Sequence, residues 1–321
     1  MRRKLILDTD GGVDDAQALL MLLAANHGPD MILTVFGNVD LPTATGNILS
    51  VLAVAGSDDI PVHMGADRPL VQPFTHAKEI HGDDGLGGAP RPTTIPEPAS
   101  ADAVGVLIDT LRAAASANDK VDLLLIGPLT NLGLALRIAP DCVAGIGQVT
   151  IMGGSIHGRG NVTPAAEFNI FSDPEAAAIV FAAEIETVLV PWEVCTDHRI
   201  SGETVDQMLA NAPETATKPF SAALVKHARG IIHGYTGKDY FRFVDPLAAA
   251  YVIDPSIMTR SLQASVDVAL APGITRGMTV VDPSGRLGTP KITLLEEADM
   301  ARVSAFYEAS IPCKVPEGTA R

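Results

Sequence analysis

Leu5-Ile6-Leu7, an apolar run fit for a buried strand, leads straight into Asp8-Thr9-Asp10-Gly11-Gly12-Val13-Asp14-Asp15, after which an apolar helix begins. Carboxylates this close repel one another, and at the end of a buried strand each uncompensated ion adds a desolvation penalty of about several kcal/mol. A bound cation is the simplest compensation. All-oxygen ligands select a hard ion such as Ca²⁺ or Mg²⁺. An Asp-capped turn, with Asp14 and Asp15 complementing the helix dipole, accounts for two of the acids and leaves Asp8 and Asp10 without an explanation.

The rest of the chain agrees with a large α/β enzyme. Its 321 residues are 47% apolar, enough for one large core over residues 1–321. No stretch reaches the roughly 18 apolar residues of a membrane span. The charged start Met1-Arg2-Arg3-Lys4 runs directly into the first strand, so no cleavable signal is expected and the cytoplasm is the default location. A net charge of −15 argues against nucleic acid as a partner. Cys142, Cys195 and Cys313 show no CxxC spacing, which argues against a disulfide framework or a structural zinc site.

Strand-like and helix-like segments alternate along the first two thirds. Strands are expected at Leu5–Asp8, Met31–Phe36, Val62–Gly65, Val121–Ile126, Val149–Met152 and Thr187–Val190, with helical periodicity between them. This predicts a doubly wound, mostly parallel, Rossmann-like sheet whose ligands sit beyond the carboxyl ends of the strands. Asp10, Asn38, Ile126-Gly127, Gly153-Gly154 and Glu193 all fall at such ends. Ala66–Pro98, rich in Pro, Gly, His and Asp, reads as a long functional loop. The last third is less regular and is expected to add helices, with a polar and aromatic loop at His233–Arg242.

A set of motifs then resembles one family in order. To the N-terminal aspartates are added Gly37-Asn38, His81-Gly82-Asp83-Asp84-Gly85-Leu86-Gly87, Gly127-Pro128-Leu129-Thr130-Asn131, Met152-Gly153-Gly154, Asn161, Glu167-Phe168-Asn169, Asp173-Pro174-Glu175 and Asp245-Pro246. Together they resemble the inosine–uridine-preferring nucleoside hydrolases over most of the chain. The resemblance implies Ca²⁺-dependent hydrolysis of the N-glycosidic bond of ribonucleosides, in a homo-oligomer (dimer or tetramer). It implies Asp10, Asp15, the Ile126 carbonyl and Asp245 as metal ligands, and Asp10 as the base for the attacking water. Asp14, Asn38, His81, Asn161, Glu167, Asn169 and Asp245 match substrate-binding positions. The chemistry asks for the same residue types: carboxylates stabilise an oxocarbenium-like state, and amides with carboxylates suit a polyol.

One departure stands out. Many family members carry a His immediately before the late aspartate, where it assists the departing base; here Phe243-Val244-Asp245-Pro246 offers Val244, which donates no proton. Trp192, His233, Tyr235 and Tyr240 are the candidates for a replacement acid or a stacking partner. Two other readings compete. Asp8-Thr9-Asp10-Gly11 resembles the opening of haloacid-dehalogenase-type phosphatases, but Gly11-Gly12 follow where that scheme needs Thr or Ser. A nucleoside- or ribose-binding protein that kept the metal site and lost turnover is the other. Asp8 and Asp173 are expected to have structural roles, and Asn131 reads equally as a first-turn helix residue or a ligand contact.

Overall fold

The alternation of strands and helices becomes a run of parallel crossovers. In the computed structural model, which describes residues 2–313, the strands are β1 (Leu5–Thr9), β2 (Met31–Thr34), β3 (Val62–Met64), β4 (Val121–Leu125), β5 (Ile146–Met152), β6 (Glu186–Val190), β7 (Arg199–Ser201), β8 (Tyr240–Arg242), β9 (Met258–Val268), β10 (Thr279–Asp282) and β11 (Lys291–Ala298). Nine of them form one sheet in the order β10-β9-β11-β6-β5-β4-β1-β2-β3. Every pairing from β3 across to β11 is parallel. Only β9 runs against its neighbours.

Parallel strands covered on both faces read as continuous apolar runs, and successive side chains go to opposite faces. β1 shows this directly. Leu5 and Leu7 join the core that holds Leu19, Leu22, Ile48 and Leu247, whereas Ile6 joins the core of Leu107, Leu111, Leu132 and Phe181. The sheet is thus the middle layer between two apolar cores. Successive strands step outwards from β1 to β3 on one side and from β4 to β6 on the other. The reversal lies between β1 and β4, the position at which open α/β sheets bind their ligands. Asp10 follows β1 at this crevice and Ile126 follows β4.

The last third departs from the sequence expectation. Helices Gly202–Asn211, Thr217–Thr236, Asp245–Ile253 and Met300–Ser310 are present, but β9, β10 and β11 also extend the main sheet beyond β6. Leu262, Ala264, Val266 and Val268 alternate with polar residues, a period-two pattern whose Ala264, Val266 and Val268 enter the second core. The stretch read as a loop at His233–Arg242 is divided between two elements. The helix continues to Thr236 and ends on Gly237 in the left-handed region (φ +66°). β8 then pairs antiparallel with β7 as a short ribbon.

Asp8, Asn131 and Asp173 are held in hydrogen bonds within the fold. Asn131 donates to Asp8 Oδ1 (3.1 Å) and to the Thr34 carbonyl (3.2 Å). Asp173 caps the helix Pro174–Phe181 and accepts from the Thr130 hydroxyl (2.7 Å). No helix among the described residues is long and apolar enough to cross a membrane.

Candidate active site

Four carboxylates from three separate places in the chain meet at the β1/β4 crevice. β1 ends in a turn at Gly11 (φ +67°), where a side chain would lie 2.6 Å from the Ala44 carbonyl oxygen. The turn leaves Asp10 on the strand end and sets Asp14 and Asp15 on the first turn of the helix Val13–Ala24. Asp245 arrives from the start of the helix Asp245–Ile253. One oxygen each from Asp14, Asp15 and Asp245 lie within 4.8 Å of one another. Asp10 stands beside this group, its oxygens accepting from the Asn38 backbone N–H (2.8 Å) and side-chain amide (2.9 Å). Asp15 accepts from the Thr9 hydroxyl, the Gly12 N–H (2.8 Å) and the Asn38 amide (3.1 Å). Asn38 therefore orders the cluster.

Among the described residues no Lys or Arg forms an ion pair with these acids. Asp14 Oδ1 is buried with no hydrogen-bond partner among the described residues. The nearest basic group, His81 Nδ1, is 3.7 Å from that oxygen and accepts the Val13 N–H instead (3.1 Å). Burial pushes the His81 imidazole down to about 4, keeping it neutral. Burial, and then the Asp15 charge, raise the Asp10 carboxyl well above the usual range. Asp245 is raised by burial and by the charges of Asp14, Asp15 and Asp10. A cation placed among these carboxylates would offset that cost and hold them ionised. The oxygen-only donor set and the unpartnered Asp14 oxygen fit a hard metal ion.

Asp14 and Asp245 line a cavity of about 480 Å³, a size that suits a small-molecule ligand, whereas Asp10 and Asp15 are fully buried and are not among its lining residues. A larger, shallow groove running from Leu136 to Leu270 includes none of these four aspartates in its lining. Asn38, His81, Ile126, Asn161, Glu167, Asn169 and Asp245 all line the acidic cavity. His81 gets there because the long Ala66–Pro98 segment folds a short helix, Lys78–His81, against the start of the helix Val13–Ala24. Glu167 is 2% exposed and caps the helix Phe168–Ser172 through the N–H groups of Asn169 and Ile170. Its Oε2 also accepts from Gly154 N–H (2.9 Å). Burial pushes Glu167 up to about 7. Asn169 donates to the carbonyls of Ile126 (3.3 Å) and Met152 (3.1 Å), tying the ends of β4 and β5 together. Asn161 accepts the Phe168 N–H (2.8 Å).

Gly37 shows how tightly Asp10 is held. A Cβ at that position would lie 2.0 Å from Asp10 Oδ2. Gly37→Ala is expected to displace the carboxylate and lower turnover by about 10²-fold, the cost of a misplaced reacting group. Steady-state kinetics beside a far-ultraviolet circular dichroism spectrum check this; unchanged kcat in a folded variant contradicts it.

The outer wall takes in some of the candidate acid and stacking residues and not others. Trp192, which opens the helix Trp192–Asp197 after β6, lines the cavity, and so does Tyr235, 72% exposed at its mouth. His233 and Tyr240 are not lining residues. Because the helix Thr217–Thr236 continues through this segment, His233 and Tyr235 fall on different faces; Tyr240 instead accepts a hydrogen bond from Arg242 (2.7 Å). Sequence reasoning missed His227, Ile231 and Arg242, all in the lining. His227, Ile231 and Tyr235 follow one another at i+4 on one helix face, a spacing visible in the sequence. Val244 lines the cavity beside Asp245 and has no side-chain donor.

Comparison with known proteins agrees with this geometry. Residues 5–305 match the family model described as inosine-uridine preferring nucleoside hydrolase. The chain is 38% identical over 293 residues to the non-specific ribonucleoside hydrolase RihC of Klebsiella pneumoniae, covering 90% of this chain and 91% of that one. It is 36% identical over 293 residues to the inosine-uridine preferring nucleoside hydrolase of Leishmania major, covering 88% of each. Among solved structures, the plant nucleoside hydrolase PpNRh1 superposes with a TM-score of 0.88 at 30% identity, covering 97% of this chain and 99% of that one. An inosine-guanosine nucleoside hydrolase superposes with a TM-score of 0.85 at 26% identity, covering 97% and 99% respectively. A doubly wound sheet with an acidic crevice at its switch point, matched over nearly its whole length, places this chain in the inosine-uridine preferring nucleoside hydrolase family, the N-ribosyl hydrolases.

Proposed function

We propose that the chain cleaves ribonucleosides to ribose and free base with one bound Ca²⁺, using Asp10 as the base for water. The observation that carries the metal part is the convergence of Asp14, Asp15 and Asp245 with one buried oxygen left unpartnered. Asp10, Asp15, the Ile126 carbonyl and Asp245 would hold the ion, and Asp14 borders the same point. When bound, Ca²⁺ supplies a template for a vicinal diol and a modest acidification of water.

The chain's own residues do the rest. Asp10, fixed by the two Asn38 donors, takes the proton from the attacking water. The surrounding carboxylates stabilise positive charge as the C1′–N bond lengthens. Asp14, Asn38, Asn161, Glu167 and Asn169 take the ribose hydroxyls, with His81 bordering them as a neutral hydrogen-bonding group. The flat base then extends towards Trp192 and Tyr235. A homo-oligomeric, cytoplasmic enzyme is part of the same proposal; light scattering at micromolar concentration tests the assembly, and a monomer contradicts it.

Metal removal tests the reading. Exhaustive chelation is expected to abolish ribose release and to lower the melting temperature, since a ligand present at 100 times its Kd contributes about 2.7 kcal/mol. Restoring Ca²⁺ should restore both, and elemental analysis should find one calcium per chain. Stoichiometric zinc, or full activity without metal, overturns the proposal.

A further inference from the structure

The cavity has an electrostatic feature that the family resemblance did not point to. Arg242 ends β8 and is the only Arg or Lys among the described residues lining the cavity. Its guanidinium lies over the Trp192 ring (5.7 Å to the centroid) and over the Tyr240 ring (5.2 Å). Nη2 donates to the Tyr240 hydroxyl at 2.7 Å. Nε is buried and has no partner among the described residues. A buried donor without a partner is costly, and it persists where a ligand completes it.

The position of this donor assigns it to one half of the substrate. Asp14, Asn38, Glu167, Asn169 and Asp245 occupy the acidic end, which takes the sugar in the reading above, and this inference rests on that reading. Val244 adjoins Asp245 at the junction, and Arg242 stands two residues before it. A base attached at C1′ therefore extends past Val244 towards Trp192 and Arg242. A planar guanidinium held against aromatic rings suits a planar heterocycle with ring-nitrogen or carbonyl acceptors.

We infer that Arg242 stabilises the departing nucleobase, its N–H hydrogen-bonding the base as negative charge develops there, and so replaces electrostatically the acid that Val244 does not provide. The C1′–N bond breaks with its electron pair going to the base nitrogen, and water adds its oxygen to C1′. Asp10 receives the water proton. Arg242 gives up no proton, because a guanidinium stays protonated in proteins. The base anion takes its proton from solvent at the open mouth beside Tyr235, and Asp10 returns an equivalent proton to solvent. The sum is nucleoside plus water giving ribose plus neutral base. The His227 imidazole on the outer wall is engaged with the Ile80 carbonyl through Nε2 (2.8 Å).

Leaving-group dependence separates this role from mere packing. A p-nitrophenyl riboside leaves as a stable phenolate and needs little help, whereas a nucleoside needs its base stabilised. Arg242→Gln should lower kcat/KM for nucleosides by about 10²–10³-fold, the cost of removing a donor from developing charge. The aryl riboside should fall far less, so the ratio of the two rates widens. Arg242→Lys keeps the charge without the fork and should fall between, and it carries the same ratio test if the Gln variant does not fold. Equal losses on both substrates reduce Arg242 to a packing element and overturn the inference, as does no loss on either. If the parent enzyme cleaves no riboside of either kind, the hydrolase reading itself fails and this assignment falls with it.

Discussion

Ribonucleosides are expected to be cleaved on the order of 10⁴-fold faster, in kcat/KM, than their 2′-deoxy counterparts. The acidic end of the cavity is lined by polar groups that are almost wholly enclosed: Asn38 is 6% exposed, Glu167 2%, Asn169 6% and Asp245 2%. In the proposed binding mode ribose hydroxyls complete the contacts of these groups. Removing a hydroxyl leaves buried donors and acceptors unpaired, and the penalty appears in the transition state, where those contacts are tightest. Asp14 sharpens the effect, because its Oδ1 has no partner among the described residues. Parallel assays of ribo-, 2′-deoxy- and 5′-deoxynucleosides carrying one base provide the test. Equal rates across the three contradict this use of the site.

Asp10→Ala is expected to lower kcat by about 10²–10⁴-fold, the contribution of a positioned general base, with substrate affinity retained. Asp10 is fully buried, both its oxygens are oriented by Asn38, and a Cβ at position 37 would collide with it. Its placement therefore serves position more than bulk. Asn38→Ala should show a smaller loss of the same kind, because the carboxylate keeps its backbone donor and loses only the side-chain one. An Asp10→Ala enzyme with turnover within a few-fold of the parent removes Asp10 as the base.

What was legible in the sequence follows a physical pattern. Groups whose meaning is set by their neighbours in the chain could be read. The Asp8–Asp15 run, the apolar strand before it and the strand–helix alternation all report local chemistry, and the structure places Asp10 and Ile126 at the ends of adjacent strands as that alternation implies. Position within the cavity was less legible, because it depends on contacts distant in sequence. His227 reaches the cavity through a helix that packs near the Ala66–Pro98 segment, touching the Ile80 carbonyl from 147 residues away. Arg242, at the end of the two-stranded ribbon, meets Trp192, which follows β6 of the main sheet. Gly234, unfavourable inside a helix, obscures the last turn of Thr217–Thr236, so the periodicity carries the helix only to Ile232 and leaves His233 in the polar stretch after it. The missed strands have a different cause. Leu262, Ala264, Val266 and Val268 carry a clear period-two signal, obscured by the small residues and polar partners between them.

Hydrolysis of N-ribosyl bonds in the acidic crevice is measured by free ribose released from a panel of purine and pyrimidine ribonucleosides, with Ca²⁺ present and after chelation. Ribose and free base are expected in equal amounts from at least one ribonucleoside, and both are expected to be lost on chelation. Tight binding of nucleosides with no ribose from any of them would contradict it and leave a binding protein in its place.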